Sequence, residues 1–528
     1  MSGAFAVAAV AAPWPLALAQ TDGDQPAATV RTVPAPRTLD INELRVEGAD
    51  RLTAAEVEAA VGPFVGPKRT LEDVEKARAA LEKTYSDKGY QSVVVSIPQQ
   101  TVRQGVITLK VTEGKIGRLH VRGTKWFSPF EIRRHAPSVA EGVVPNFNDI
   151  VRDIYVLNQW PDRRITPLLR AGAIPGTVDV DLLVQETFPL HASVEVNDRY
   201  SVNTTHTRIN GFIHYDNLWQ LGHSLGFSFQ IAPKRPSDAK VFGGNYLARF
   251  PGAHWLTLSF NAVIQDSDVS TLGGTAVTGR GRIFGARATF TLPGSAGFFH
   301  SITTGFDYKL FLENVAFGTS ATSAPVHYWP LTAQYGASWF ERRSQTQFGI
   351  TGVFNIRGLS SNDAQFDAKR YKASSMFAYL RGELSRTDEL PLRLQTFVRV
   401  SGQFTGAPLI GPEQFTAGGV DTVRGYLEVE AVGDYGALGS LELRSPSVIG
   451  PPVGDWRFHV FTEGGRVWLH DALPEQKVFS TLWSVGGGTR LRLFEHLSGG
   501  FDIGIPLTSA GSTPKYQPRF HFRVVGEI

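Results

Sequence analysis

The sequence predicts an α+β pair of repeated units followed by a transmembrane antiparallel β-barrel of about sixteen strands. Three observations carry that prediction. A strand–helix–helix–strand–strand pattern occurs twice within residues 39–188. From residue 189 onward helical periodicity vanishes, and apolar residues alternate with small or polar ones. Past the N-terminus no apolar run approaches the ~20 residues that a spanning helix needs.

Composition agrees. Charged residues make up 19% of the 528, below the ~25% of ordinary soluble domains. Lys+Arg (52) and Asp+Glu (49) nearly cancel, which gives no argument for nucleic acid as a partner. The absence of Cys excludes thiolate metal sites, iron–sulfur clusters, thiol nucleophiles and disulfides together.

Residues 1–19 are apolar and end in Ala17-Leu18-Ala19, a small-x-small cleavage pattern, so they are expected to be an export signal. A cationic start is missing, since the first basic residue is Arg31. Residues 20–38, rich in Pro, Ala and Thr, read as a linker.

Residues 39–115 form the first unit. Leu44–Val46 is a short strand. Thr53-Ala-Ala-Glu56 is a capping box that opens a helix to Val61, and Thr70-Leu-Glu-Asp73 opens a second. In that second helix Val74, Ala77, Leu81 and Tyr85 share one face, and Gly89 stops it. Ser92–Ile97 and Gly105–Thr112 close the unit as strands. Residues 116–188 repeat the plan: strand Ile116–Val121, helices Ser128–His135 and Asn148–Trp160, strands Thr166–Arg170 and Thr177–Gln185.

Residues 189–528 are expected to be the barrel. Leu225, Phe227, Phe229 and Ile231 alternate with Ser224, Gly226, Ser228 and Gln230; Leu256–Ile264, Leu331–Trp339, Phe501–Ile505 and Phe520–Val524 alternate likewise. An apolar outer face and a wet inner face suit a closed membrane barrel, in which every backbone group must pair. At ~21 residues per strand and turn the stretch holds about sixteen strands. Aromatic residues gather near strand ends, as in Tyr328-Trp329, Trp339-Phe340 and Trp483. A large soluble β-sandwich also alternates, but it does not keep one face polar over so many strands.

Few motifs offer chemistry. Gly222-His-Ser-Leu-Gly226 matches G-x-S-x-G, yet that elbow must lie between a strand and a helix, and Phe227–Ile231 continues a strand. Gly274–Gly279 has phosphate-loop glycine spacing but is followed by Arg280-Gly281, not Lys-Ser/Thr. His459 reads as a lumen or interface residue. The informative stretch runs from Glu413 through Gly418-Gly419 to Val423-Arg424-Gly425-Tyr426, in a long loop between strands. In Phe458–Val467 alternation turns Phe458, Val460 and Thr462 outward and Arg457, His459, Phe461 and Glu463 inward. An Arg–carboxylate pair across a lumen can pin a loop inside a barrel.

Val423-Arg424-Gly425-Tyr426 resembles the VRG[FY] signature of the POTRA-containing outer-membrane barrel superfamily. The two N-terminal units resemble POTRA domains, and two of them before a barrel resemble the two-partner secretion transporters of the hemolysin-activator and filamentous-hemagglutinin exporter type. Glu113-Gly-Lys-Ile116 is similar to that family's junction between POTRA domains. Asp216-Asn-Leu218 with Leu221–Leu225 is similar to its early barrel hairpin.

The resemblance implies POTRA 1 over 39–115, POTRA 2 over 116–188 and an outer-membrane barrel over 189–528, with the POTRA domains in the periplasm. It also implies an inward-folded loop whose Arg424 pairs with an acidic residue of the wall. That residue is Glu463 here, where the family usually has Asp, and Glu463→Gln is expected to act like Arg424→Ala. The implied function is export, without nucleotide hydrolysis, catalysis, cofactor or metal. The exported protein is a large secreted partner with an N-terminal secretion domain, caught by the POTRA units. Other implied partners are outer-membrane lipids and, during biogenesis, the barrel-assembly machinery and periplasmic chaperones; nucleic acid is not among them. A barrel-assembly factor, a passive porin and a hydrolase using Gly222–Gly226 remain as alternative readings.

Overall fold

A computed structural model describes residues 38–528 apart from 161, 251, 273–274, 313, 318–319, 324 and 357. The expected export signal and nearly all of the linker lie outside the described residues, as does Gly274 of the glycine-spaced motif. The chain divides into two compact units, one up to Gly114 and one from Lys115 on.

In the first unit, Thr53 and Thr70 cap helices Ala54–Val61 and Leu71–Asp87, and both capping boxes are formed. Val74, Ala77, Leu81 and Tyr85 are buried on one face of the longer helix. They pack on a three-stranded sheet in which Val106–Glu113 lies between Glu43–Glu47, parallel, and Val93–Ser96, antiparallel. Alternation along these strands supplies Leu44, Val93, Val95, Leu109 and Val111 to the same core. The Glu113 carboxylate accepts from Tyr85 Oη (2.8 Å) and Arg51 N (2.8 Å), tying the last strand to the helix and the first turn. A small ribbon, Leu39–Ile41 with Gly66–Arg69, was not expected; Gly66 and Pro67 hide its strand signal.

The second unit begins with the same plan. Thr177–Glu186 lies between Lys115–Arg122, parallel, and Arg163–Ala171, antiparallel. Helices Pro129–Arg134 and Phe147–Leu157 bury Ile132, Ile150 and Leu157 on that sheet.

The remainder is a closed antiparallel barrel of sixteen strands. The first eight are Leu190–Asn197, Arg208–Leu218, His223–Ile231, Lys240–Arg249, Leu256–Leu272, Thr275–Thr291, Phe298–Phe311 and Val326–Phe340, the last interrupted at Trp329. The second eight are Ser344–Asn355, Ala378–Glu389, Gln395–Thr405, Tyr435–Arg444, Gly454–Trp468, Phe479–Leu493, Leu497–Pro506 and Arg519–Glu527. Arg519–Glu527 pairs with Leu190–Asn197 and closes the cylinder, so no edge is left unpaired. Leu225, Phe227, Phe260, Ile264, Val400, Val460 and Phe520 stand exposed on the outside. Their strand neighbours Ser224, Gln265, His459 and His521 are buried within.

Two features depart from the expected pattern. Tyr328 is not part of an aromatic rim: it turns inward and is fully buried against Phe366 and Phe377. A short helix, Asp363–Lys369, capped by Asn362, occupies the connection between Ser344–Asn355 and Ala378–Glu389. Seven residues are too few to show a helical period in sequence.

Candidate functional site: the Arg424 loop

The chain from Gly406 to Asp434 leaves the barrel at the end remote from the second α/β unit and folds back among buried side chains. Its walls are a short hairpin, Phe415–Ala417 with Ala431–Gly433. Phe415, Ala417, Val423, Tyr426 and Ala431 pack with Leu438, Val467 and Leu482 of the barrel strands. The apolar residues of this polar-looking loop thus have a core of their own.

Val423, Arg424, Gly425 and Tyr426 are all buried at its tip. Gly425 adopts φ +94°, and a Cβ there would lie 3.0 Å from the backbone of Gly504. Only glycine lets the loop touch the wall at that point. Tyr426 Oη lies 2.7 Å from Thr508 O and accepts from Trp483 N at 3.2 Å. It fixes the tip to two strand regions.

Arg424 meets three carboxylates. Its Nη2 donates to Glu463 Oε1 (2.6 Å) and Glu442 Oε2 (2.8 Å), and its Nη1 to Asp502 Oδ1 (3.0 Å). Nε adds a bond to Glu463 Oε1 at 3.1 Å, and the backbone N–H donates to Glu463 Oε2 at 2.7 Å. Glu463 therefore grips both the side chain and the main chain of Arg424. The guanidinium stacks 3.6 Å over the Phe461 ring, the planar contact to which Arg is suited.

The wall completes the network. Ser440 Oγ donates to Glu463 Oε1 (3.0 Å), Arg444 Nε to Glu442 Oε1 (2.6 Å), and Arg490 Nη1 lies 2.8 Å from Asp502 Oδ2. His459 Nε2 lies 2.6 Å from Asp502 Oδ1. Three guanidiniums thus face three carboxylates, which makes burial of this many charges tolerable. Gly488 lies between His459 and Asp502 in the sheet; a Cβ there would sit 2.5 Å from Asp502 Oδ1. On the side nearer the α/β unit a cavity of about 530 Å³ opens, lined among others by Arg399, Arg444, Asp455, Arg457 and Arg490.

The loop is also anchored at its base. Glu413, buried, accepts from Lys309 Nζ (2.7 Å), Tyr328 Oη (2.6 Å) and Tyr379 Oη (2.8 Å). Asp434 accepts from Leu409 N (2.9 Å), Gln414 Nε2 (3.1 Å) and His470 N (2.7 Å). Sequence reasoning paired Arg424 with Glu463 alone and missed Glu442, Asp502, Glu413 and Asp434 as holders of the loop. A signal existed for the first two. Each is an inward acid between outward apolar neighbours, Leu441/Leu443 and Phe501/Ile503.

The Gly222–Gly226 motif has a different environment. His223–Ile231 is a barrel strand, not the turn into a helix, and Ser224 Oγ accepts from Arg249 Nη1 at 3.1 Å.

Comparison with known proteins supplies the family context. Residues 39–114 match the family model "POTRA domain, ShlB-type". Residues 319–491, which hold the Arg424 loop, match "Haemolysin secretion/activation protein ShlB/FhaC/HecB". The chain is 24% identical over 519 residues to the outer membrane transporter CdiB of Escherichia coli O6:K15:H31, covering 92% of this chain and 84% of that one. It is 22% identical over 503 residues to CdiB of Dickeya dadantii, covering 88% and 83%. The solved structure of CdiB from Escherichia coli superposes with a TM-score of 0.61 at 19% identity, covering 96% of this chain and 93% of that one.

Proposed function

We propose that this chain is an outer-membrane transporter of the two-partner secretion type, to whose family models residues 39–114 and 319–491 are similar, and that it exports its partner as follows. It resides in the outer membrane with its POTRA region in the periplasm. The POTRA units, 39–115 and 116–188, catch the extended N-terminal secretion domain of a large partner protein by strand addition. Val93–Ser96 and Arg163–Ala171 each form an outer strand of a three-stranded sheet, which supports either edge. Pro167 removes one N–H from the second, so Val93–Ser96 is the better template. The partner then threads the lumen, and its folding outside, without nucleotide hydrolysis or any catalytic step in this chain, draws it through. The exposed apolar row of the barrel meets outer-membrane lipid. Barrel-assembly machinery and periplasmic chaperones serve its biogenesis.

The single observation that carries this reading is the buried Arg424 held by three wall carboxylates at the tip of an inward loop. Such a clasp sets one loop position inside the lumen. The test is secretion of a candidate partner in cells with and without this chain, alongside single-channel conductance of the purified protein. Export that requires the chain, together with a conducting lumen, is the expected result. Export independent of the chain overturns the reading. Loss of other barrels from the membrane on depletion favours an assembly factor instead.

A further inference from the structure

Where the second α/β unit meets the barrel mouth, three metal-ligating side chains converge and a fourth, Asp162, borders them. His191 and His214 are direct cross-strand neighbours on the first two barrel strands, and their rings stack 4.9 Å apart. Asp216 follows two residues after His214, so period two places it on the same face. The ligand atoms of these three lie within 4.8 Å of one another, the one such group among the described residues. Asp162, from the α/β unit, reaches into the cluster across the joint.

Ligand atoms of His191, His214 and Asp216 are close enough to share one small ion, and Asp162 borders this group through His191. His191 Nε2 lies 2.8 Å from Asp162 Oδ1 and 4.0 Å from Asp216 Oδ2, and His214 Nε2 lies 3.1 Å from Asp216 Oδ2. A tetrahedral site with bonds of ~2.0–2.1 Å needs ligand atoms about 3.3 Å apart. These three distances scatter around that value. Asp162 is 4% exposed, and its Oδ2 is buried without a hydrogen-bond partner. That atom has acceptor capacity that neither Thr187 Oγ1 nor His191, both on Oδ1, uses. Arg249 is a cation near enough to Asp216 to feel its charge. Its guanidinium is occupied by Gly222 O (2.6 Å) and Ser224 Oγ (3.1 Å). Imidazole nitrogens with carboxylates are the donor set of a borderline divalent transition ion rather than of Ca²⁺ or Mg²⁺.

We propose that His191, His214, Asp216 and Asp162 form a binding site for a divalent transition-metal ion of the Zn²⁺ type, which clamps the α/β unit to the first barrel hairpin. Ion binding draws Asp162 toward the two strands and limits motion of the unit that hands the exported chain to the lumen.

The test uses the untagged, full-length protein in detergent, stripped with chelator and titrated with Zn²⁺. One ion per chain is expected. A His191→Gln/His214→Asn double variant should lose at least tenfold in affinity, with heat-modifiable migration confirming a folded barrel. Asp162→Asn, outside the barrel strands, should also weaken binding. On the unaltered protein Zn²⁺ should slow amide hydrogen exchange at residues 186–192 and 212–217. No bound Zn²⁺, or equal affinity in the double variant, overturns the site. Equal affinity in Asp162→Asn overturns the clamp across the joint.

Discussion

Replacing Arg424 by Ala removes one cation from a cluster of three guanidiniums and three carboxylates. Glu442 and Asp502 keep Arg444 and Arg490, but Glu463 keeps only the Ser440 hydroxyl and the residue-424 N–H. Removing one partner of a buried charge pair costs about 3–5 kcal/mol. The sixteen-strand ladder is untouched, so the cost falls on the seated position of the loop. At 1.4 kcal/mol per tenfold, the fraction of molecules with an unseated tip rises by roughly 10²-fold to a few thousandfold. The protein has no native Cys, so Ala417→Cys, at a fully buried loop position, gives a single reporter. The expected result is slow thiol labelling of Ala417→Cys alone and fast labelling once Arg424→Ala is added. Secretion of the partner should be lost, while heat-modifiable migration persists. Equal labelling rates with normal secretion would refute the clasp. Loss of the folded barrel would show that Arg424 supports the fold rather than the loop.

Further substitutions grade the same argument. Glu463→Gln is expected to be milder than Arg424→Ala, contrary to the sequence expectation of equivalence. Two other carboxylates still hold the guanidinium, and weakening of charge-assisted bonds costs about 1–2 kcal/mol; reporter labelling should rise roughly tenfold. Gly425→Val combines a left-handed backbone penalty of ~1–2 kcal/mol with contact against Gly504, so secretion should fall while Gly425→Ala falls less. Glu413→Ala leaves Lys309 and two tyrosine hydroxyls without their shared acceptor, and labelling should increase as for Arg424→Ala, about 3–5 kcal/mol. A Glu413→Ala protein with wild-type labelling would remove the base anchor from the account.

The sequence made the architecture legible where periodicity is long. The 71–87 helix and the alternating strands around Leu225 and Phe260 follow from residue spacing alone. Pattern reading was weakest where short elements or inward aromatics broke the rule. Tyr328 looked like part of an aromatic rim because its neighbour Trp329 suits one, yet an acid 85 residues away, Glu413, draws its hydroxyl inward. Arg424 was singled out by its tetrapeptide, and Glu463 by strand parity. Glu442 and Asp502 have the same parity, but which inward acids converge on one point depends on strand register and barrel closure. Register is set by cross-strand pairing, and no single strand's sequence carries it. Asp162 and His191 illustrate the same limit: within the second unit one follows the helices of the α/β part and the other stands on the first barrel strand, and they meet only through the joint.

The central claim, that the partner crosses through the barrel lumen past the Arg424 loop, is tested most directly by two adjacent residues. Arg399 lines the inner cavity, whereas Val400 is half exposed on the outer face. A photo-crosslinking residue placed at 399 or at 400, with a partner arrested during export, should capture the partner from 399 and not from 400. Capture from 400, or none from 399, would contradict passage through the lumen.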